Sequence, residues 1–199
     1  MLPKIVLSNE KHKKYTKPKI NYKYEQVSWE MFMNDTGDYK TVRSSFIPYI
    51  KSFGEDYWIL GSFHDHRDIL TDFGGSCILF GSFKGIQRRN YQHAFGCAML
   101  ELNEESKGLL VKPVLASLGL NEIAIYRGID ELRKEYVWFV MVPLNYHVAK
   151  IAVDSFEVTP NISNELLGPI NFYRYNDIIN KKYRTSRNLT DFVNYLRTL

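Results

Sequence analysis

Residues 136–144, Y-V-W-F-V-M-V-P-L, constrain the fold more than any other stretch of the sequence. Apolar and aromatic almost throughout, they suit an interior strand, and Pro143 marks its end. Enclosing such a strand takes a real core. The chain has 199 residues, 45% of them hydrophobic and 24% charged, which is enough for one globular domain. The expected organisation is a basic N-terminal arm over residues 1–35 and a single domain over 36–199. Aromatic residues make up 15% of the chain, which excludes a disordered or fibrous class.

Other segments give the sheet more strands. Residues 41–50, T-V-R-S-S-F-I-P-Y-I, read as a strand with Pro48 near an edge. Residues 56–63, D-Y-W-I-L-G-S-F, read as a central strand. A polar turn containing His64, Asp65, His66 and Asp68 then returns to a short strand that ends in Gly74 and Gly75. Two histidines in H-x-H can ligate zinc, but no third ligand follows at a helpful spacing, so a hairpin turn is the better reading. Residues 76–90 are ambiguous and could be a strand followed by a basic loop. Residues 109–115 look β-like, and 123–126 form a short apolar strand. Residues 148–153 could be a helix or an edge segment, and 188–199 read as a helix with Leu189, Phe192, Val193 and Leu196 inward.

Charge and cysteine content narrow the function classes only a little. A formal charge of +4 favours phosphate-bearing partners weakly. Within residues 1–25 seven lysines, among them Lys11, Lys13 and Lys14, alternate with Tyr15, Tyr22 and Tyr24. Such an arm could touch a nucleic-acid backbone or simply be solvated. Cys77 and Cys97 both sit in apolar surroundings and read as reduced core thiols. The apolar start, residues 1–7, is too short for a signal sequence or a spanning segment, so a soluble, cytoplasmic protein with no membrane partner is expected.

The chemistry concentrates between residues 91 and 106, where a helical periodicity carries Glu101, Glu104 and Glu105, with Gly108 as its terminator. At about 100° per residue these three carboxylates share a sector roughly 100° wide, beside a stripe of Phe95, Ala98, Met99 and Leu102. Like charges spaced i,i+4 repel by a few tenths of a kcal/mol unless something compensates. Hard divalent cations take carboxylate oxygens, so the cluster is either a cation site or a solvated helix edge.

The order strand, Gly-Gly, loop, acidic helix resembles the Nudix hydrolase superfamily, whose signature is G-x5-E-x7-R-E-U-x-E-E-x-G-U, with U a bulky aliphatic. Residues 100–109, L-E-L-N-E-E-S-K-G-L, carry the likeness. Glu101, Leu102, Glu104 and Glu105 fit in type and spacing, and Gly108 arrives one residue late. The run at 58–75, W-I-L-G-S-F-H-D-H-R-D-I-L-T-D-F-G-G, also looks like the strands before the signature in family members of large DNA viruses. Leu100 stands where the signature has arginine and Gln92 where it has its first glutamate. The resemblance implies that those two residues brace the helix as a pair, so that losing both strands no charge. Gly75 lies farther from the helix than the motif allows, as though residues were inserted after it, and Gly85 is the other candidate to open the final loop.

What the resemblance implies is an α/β fold, a Nudix-type α/β/α sandwich around a mixed β-sheet. The implied reaction is metal-dependent hydrolysis of a diphosphate linkage in a nucleoside diphosphate joined to a further group, with Mg²⁺ or Mn²⁺ as cofactor. Glu101, Glu104 and Glu105, with Gly75, would hold the metal. Glu104, Glu105 or the more distant Glu165 would accept the proton of the attacking water. Lys84, Arg88 and Arg89 could clamp the substrate phosphates. The substrate would be a nucleotide or the capped end of a messenger RNA, which viral members cleave in the host cytoplasm. The alternative is a Nudix-like scaffold that lost efficient catalysis and binds RNA or a protein partner.

Overall fold

The computed structural model describes residues 22–34, 39–63, 65–83, 86–91, 93–119, 122–162 and 168–199, with only the backbone of 79–83 and 86–91. The elements run β1 (Lys23–Val27), α1 (Trp29–Asn34), β2 (Lys40–Ser52), β3 (Glu55–Ser62), β4 (Ile69–Thr71), β5 (Phe73–Ser76), β6 (Ile78–Phe83), β7 (Ile86–Tyr91) and α2 (Ala94–Glu105). They continue with α3 (Val111–Ser117), β8 (Ala124–Asp130), β9 (Glu135–Pro143), α4 (Tyr146–Ser155), β10 (Asn171–Arg174), α5 (Tyr175–Ile179), β11 (Arg184–Thr185) and α6 (Arg187–Leu196).

The apolar run is β9, and its side chains alternate between two cores. Tyr136, Trp138, Val140 and Val142 face one core, whereas Val137 and Phe139 face the other. The first core holds Phe32 of α1, Ala98 and Leu102 of α2, Val114 of α3 and Ala149 of α4. The second holds Ile178 of α5 and Leu189, Phe192, Val193 and Leu196 of α6. The sheet is therefore covered by helices on both faces, an α/β/α sandwich. Its strand order is β1-β8-β9-β2-β3-β4-β11, with β5 beside β2 and β10 beside β3. Pairing is mixed, since β2 runs parallel to β9 and β11 parallel to β4 while the other pairs are antiparallel.

Several expectations need correction. Pro48 is not at an edge, because β2 lies inside the sheet and Pro48 pairs with Val142 of β9. On the other side of β2, pairing with β5 stops at Phe46 and pairing with β3 begins at Tyr49. Pro48 sits in that gap, where a residue without an N–H is accommodated. The β-like run at 109–115 is a turn followed by the helix α3, whose third residue is Pro113. Proline in a first turn gives up only an N–H that has no intrahelical partner, so it permits the helix that Val111 and Val114 argue against. The ambiguous 76–90 stretch is a hairpin, β6 paired with β7, and not a strand followed by a loop. The cysteines are buried but not reduced, and Cys77 and Cys97 form a disulfide. Their Cα atoms are 5.4 Å apart because α2 packs on β5, a proximity that a separation of 20 residues does not reveal.

The latter part of the N-terminal stretch lies in the fold. β1 pairs with β8, and Trp29 and Phe32 of α1 pack on Phe95 of α2. Tyr24, a candidate for stacking, is instead packed against Phe139, Phe192 and Tyr195. Lys4 through Lys19 lie outside the described residues.

The end of α2 explains the late glycine. Lys107 takes the left-handed conformation at φ 53° and Gly108 follows at φ 77°. Lys107 N–H donates to Glu104 O and Gly108 N–H to Asn103 O, which satisfies carbonyls of the last turn. A lysine in that conformation needs compensation. Its amine donates to the carbonyls of Phe156 and Thr159 at 2.8 and 2.9 Å and lies 4.2 Å from the Phe156 ring centre. Lys107→Ala should cost about 1–2 kcal/mol, because it keeps the strained backbone and loses the amine contacts. Lys107→Gly should cost less, since it relieves the backbone. Urea denaturation of the two variants measures the difference.

Candidate active site

Two buried groups set the site. Arg43 enters from β2 and Asp72 from the junction of β4 and β5, and both are among the buried residues. The guanidinium donates to both carboxylate oxygens, at 3.0 and 3.1 Å, and to Gly74 O at 2.8 Å. Such a bidentate pair has the geometry that makes a buried ion pair tolerable, and removing either partner would strand a charge. The N–H of the same glycine, Gly74, donates to Glu105 Oε2 at 2.7 Å. Gly74 thus links the Arg43–Asp72 pair to the last residue of α2.

Glu105 sits in surroundings that favour its neutral form. Burial raises its carboxyl to about 9, and the nearby charges of Asp72 and Glu101 push the same way against Arg43 and the Gly74 N–H. These surroundings favour the protonated form at neutral pH.

Glu101 lies one turn earlier and is half-buried. Its carboxylate occupies the space where any other residue than glycine at position 75 would place its Cβ, within 2.3 Å of the carboxyl carbon and both oxygens. The segment between Gly75 and α2 does not separate them. It leaves as the β6–β7 hairpin and returns, and the Cys77–Cys97 disulfide joins the two ends. The Cys97 sulfur is 3.9 Å from Gly75 O, a plain contact because a disulfide sulfur has no proton to donate.

The structure thus brings Gly75, Glu101 and Glu105 together. Glu104 is half-buried on the same helix, and Leu100 is 41% exposed. Arg88 and Arg89 lie on β7, opposite Gly81 and Phe80, where only the backbone is described. Lys84, Gly85, Gln92 and Glu165 lie outside the described residues. Arg43 and Asp72 had not been singled out. The available signal was a lone arginine within an otherwise strand-like run, which must find a partner if it is buried.

A cleft of about 420 Å³ opens here, lined by Arg43, Thr71, Gly74, Gly75, Glu105 and Ser186, among others. The oxygen donors suit a hard divalent cation. Among the described residues, however, no three acidic, histidine or cysteine side chains converge as a ready-made metal cage. Glu101 and Glu105 would be the acidic part of such a set, with neutral oxygens supplying the rest. Opposite Gly75 on β2, Ser44 Oγ is buried and makes no hydrogen bond among the described residues. The donor chemistry fits a cation bound by few charges and several neutral oxygens.

Among the described residues no helix is long and apolar enough to cross a membrane. No protein-family model and no curated protein matches the sequence. Among solved structures, the chain is similar to a mutT/nudix family protein from Listeria innocua, with 10% identity, 82% of this chain and 94% of that one covered, and a TM-score of 0.43.

Proposed function

We propose that this protein is a metal-dependent hydrolase of a diphosphate linkage in a nucleoside diphosphate derivative. The observation that carries the reading is the seating of the Glu101 carboxylate over Gly75, which lines the cleft together with Glu105, one turn along α2. Glu101 and Glu105 would hold Mg²⁺ or Mn²⁺, which supplies charge neutralisation at the phosphoryl oxygens and a more acidic water. The chain's own contributions are distinct. Arg43 and Asp72 fix Gly74, Gly74 N–H orients Glu105, and the half-buried Glu104 on the same helix is the candidate to accept a proton. A cleft of about 420 Å³ is in the range of small-ligand sites and suits one nucleotide unit. The net positive charge also suits the capped end of an RNA, whose cap would enter as that unit.

The test offers nucleoside diphosphate derivatives, dinucleoside polyphosphates and capped RNA with Mn²⁺ or Mg²⁺, and follows release of nucleoside mono- and diphosphates. Glu101→Gln should lower turnover at least about a hundredfold, because a lost carboxylate ligand weakens both cation binding and water activation. No turnover of any substrate by the wild-type protein would end the hydrolase reading.

A further inference from the structure

We infer that Ser44 completes the cation site, its hydroxyl serving as a neutral oxygen donor beside Glu101 and Glu105. This rests on the hydrolase reading and adds to it a residue from the sheet.

Strand register places the hydroxyl. Phe46 and Phe73 pair across β2 and β5, and both face the core that α2 covers. Side chains alternate along a strand, so the pair two residues on, Ser44 and Gly75, faces α2 as well. Gly75 has no side chain, and the Glu101 carboxylate fills that place. Directly opposed residues have Cβ atoms about 5 Å apart, so the Ser44 hydroxyl and the Glu101 carboxylate adjoin one small volume.

The hydroxyl is also out of keeping with its surroundings. Ser44 is 0% exposed, and its Oγ has no partner among the described residues. The neighbouring hydroxyls are engaged: Ser45 Oγ donates to Trp138 O at 3.1 Å, and Thr41 Oγ1 accepts from Trp138 Nε1 at 3.0 Å. A buried polar group left unpaired is costly, and alanine would avoid that cost at this position. A cation held between Glu101 and Glu105 needs neutral oxygens, since among the described residues no third acidic, histidine or cysteine side chain joins them as a ligand cluster. Ser44 supplies one.

The experiment titrates full-length wild-type, Ser44→Ala and Ser45→Ala proteins with Mn²⁺, reading free Mn²⁺ by electron paramagnetic resonance, and records thermal unfolding with and without the ion. Ser44→Ala should weaken Mn²⁺ binding about tenfold. It should shrink the Mn²⁺-induced rise in Tm while leaving the metal-free Tm unchanged or higher. Ser45→Ala loses its bond to Trp138 and should lower the metal-free Tm with Mn²⁺ affinity intact. Wild-type affinity in Ser44→Ala would overturn the assignment of Ser44 while leaving the cation site standing. Absence of Mn²⁺ binding by the wild-type protein would overturn the site and Ser44's part in it together.

Discussion

Glu105→Gln should make the metal-free protein more stable at pH 8 while abolishing the proposed cation binding. In the native state burial, reinforced by Asp72 and Glu101, holds the carboxyl at about 9, far above its ordinary value of 4.5. The sign follows from proton counts. Below the ordinary value both folded and unfolded chains carry the proton, and the group is neutral for stability. Between the ordinary and the raised value the unfolded chain releases the proton and the folded one keeps it, so stability falls as pH rises. Above about 9 the loss levels off. At about 1.4 kcal/mol per pH unit the ceiling at pH 8 exceeds 4 kcal/mol, and water entry into an opening cleft reduces the expected gain to about 2 kcal/mol. Glutamine avoids the loss, since it never ionises and its side-chain carbonyl still accepts the Gly74 N–H. Denaturation in EDTA at pH 5 and pH 8 is the measurement. The two proteins should be nearly equal at pH 5 and separate at pH 8. Equal stability at both would mean that Glu105 is ionised without penalty.

Part of the candidate site's geometry is legible in the sequence for a simple reason. Glu101 and Glu105 are four residues apart on a helix, so periodicity alone puts them on one face, and the structure adds only what they face. Gly75 was harder, because its distance along the chain from α2 depends on how the intervening residues fold. A hairpin returns the chain to its start, and sequence separation then says nothing about distance. Arg43 and Asp72 are 29 residues apart, and their meeting depends on the register of β2 against β5. Ser44 is a stronger case of the same limit, since its significance comes from a missing partner and no sequence pattern marks an absence.

The fold divides along similar lines. The runs that became β2, β3 and β9 and the amphipathic stretch of α6 were readable because burial on one or both faces leaves a period in the sequence. α3 was misread because it is short, apolar and rich in valine, and for a short apolar run helix and strand give no distinct period. The proline that resolves it acts through the missing N–H of one position, a local effect that competes with composition.

The two adjacent glycines should respond to alanine in opposite ways. At Gly74 the new Cβ would lie 2.0 Å from Ser45 Cβ and 2.7 Å from both Ser44 O and Arg43 Nη1. Two of those three atoms belong to the backbone or its first side-chain atom in a central strand, so the strands must part, and β5 holds Phe73 in the core and follows directly on Asp72 beside Arg43. Gly74→Ala should therefore destabilise the protein by about 3 kcal/mol or more. At Gly75 the Cβ would meet only the end of the Glu101 side chain among its nearest neighbours. A carboxylate on a flexible stem can swing aside by rotating its own bonds, so Gly75→Ala should cost less than about 1 kcal/mol in folding. What it loses is the position of Glu101. A ligand displaced by an ångström or more no longer serves the same cation, and turnover should fall about a hundredfold or more. Chemical denaturation and Mn²⁺ titration of the two variants separate the effects, with stability lost at position 74 and cation affinity lost at position 75. Full Mn²⁺ affinity in Gly75→Ala would show that the carboxylate works from elsewhere, and the case for Glu101 as a ligand would fail with it.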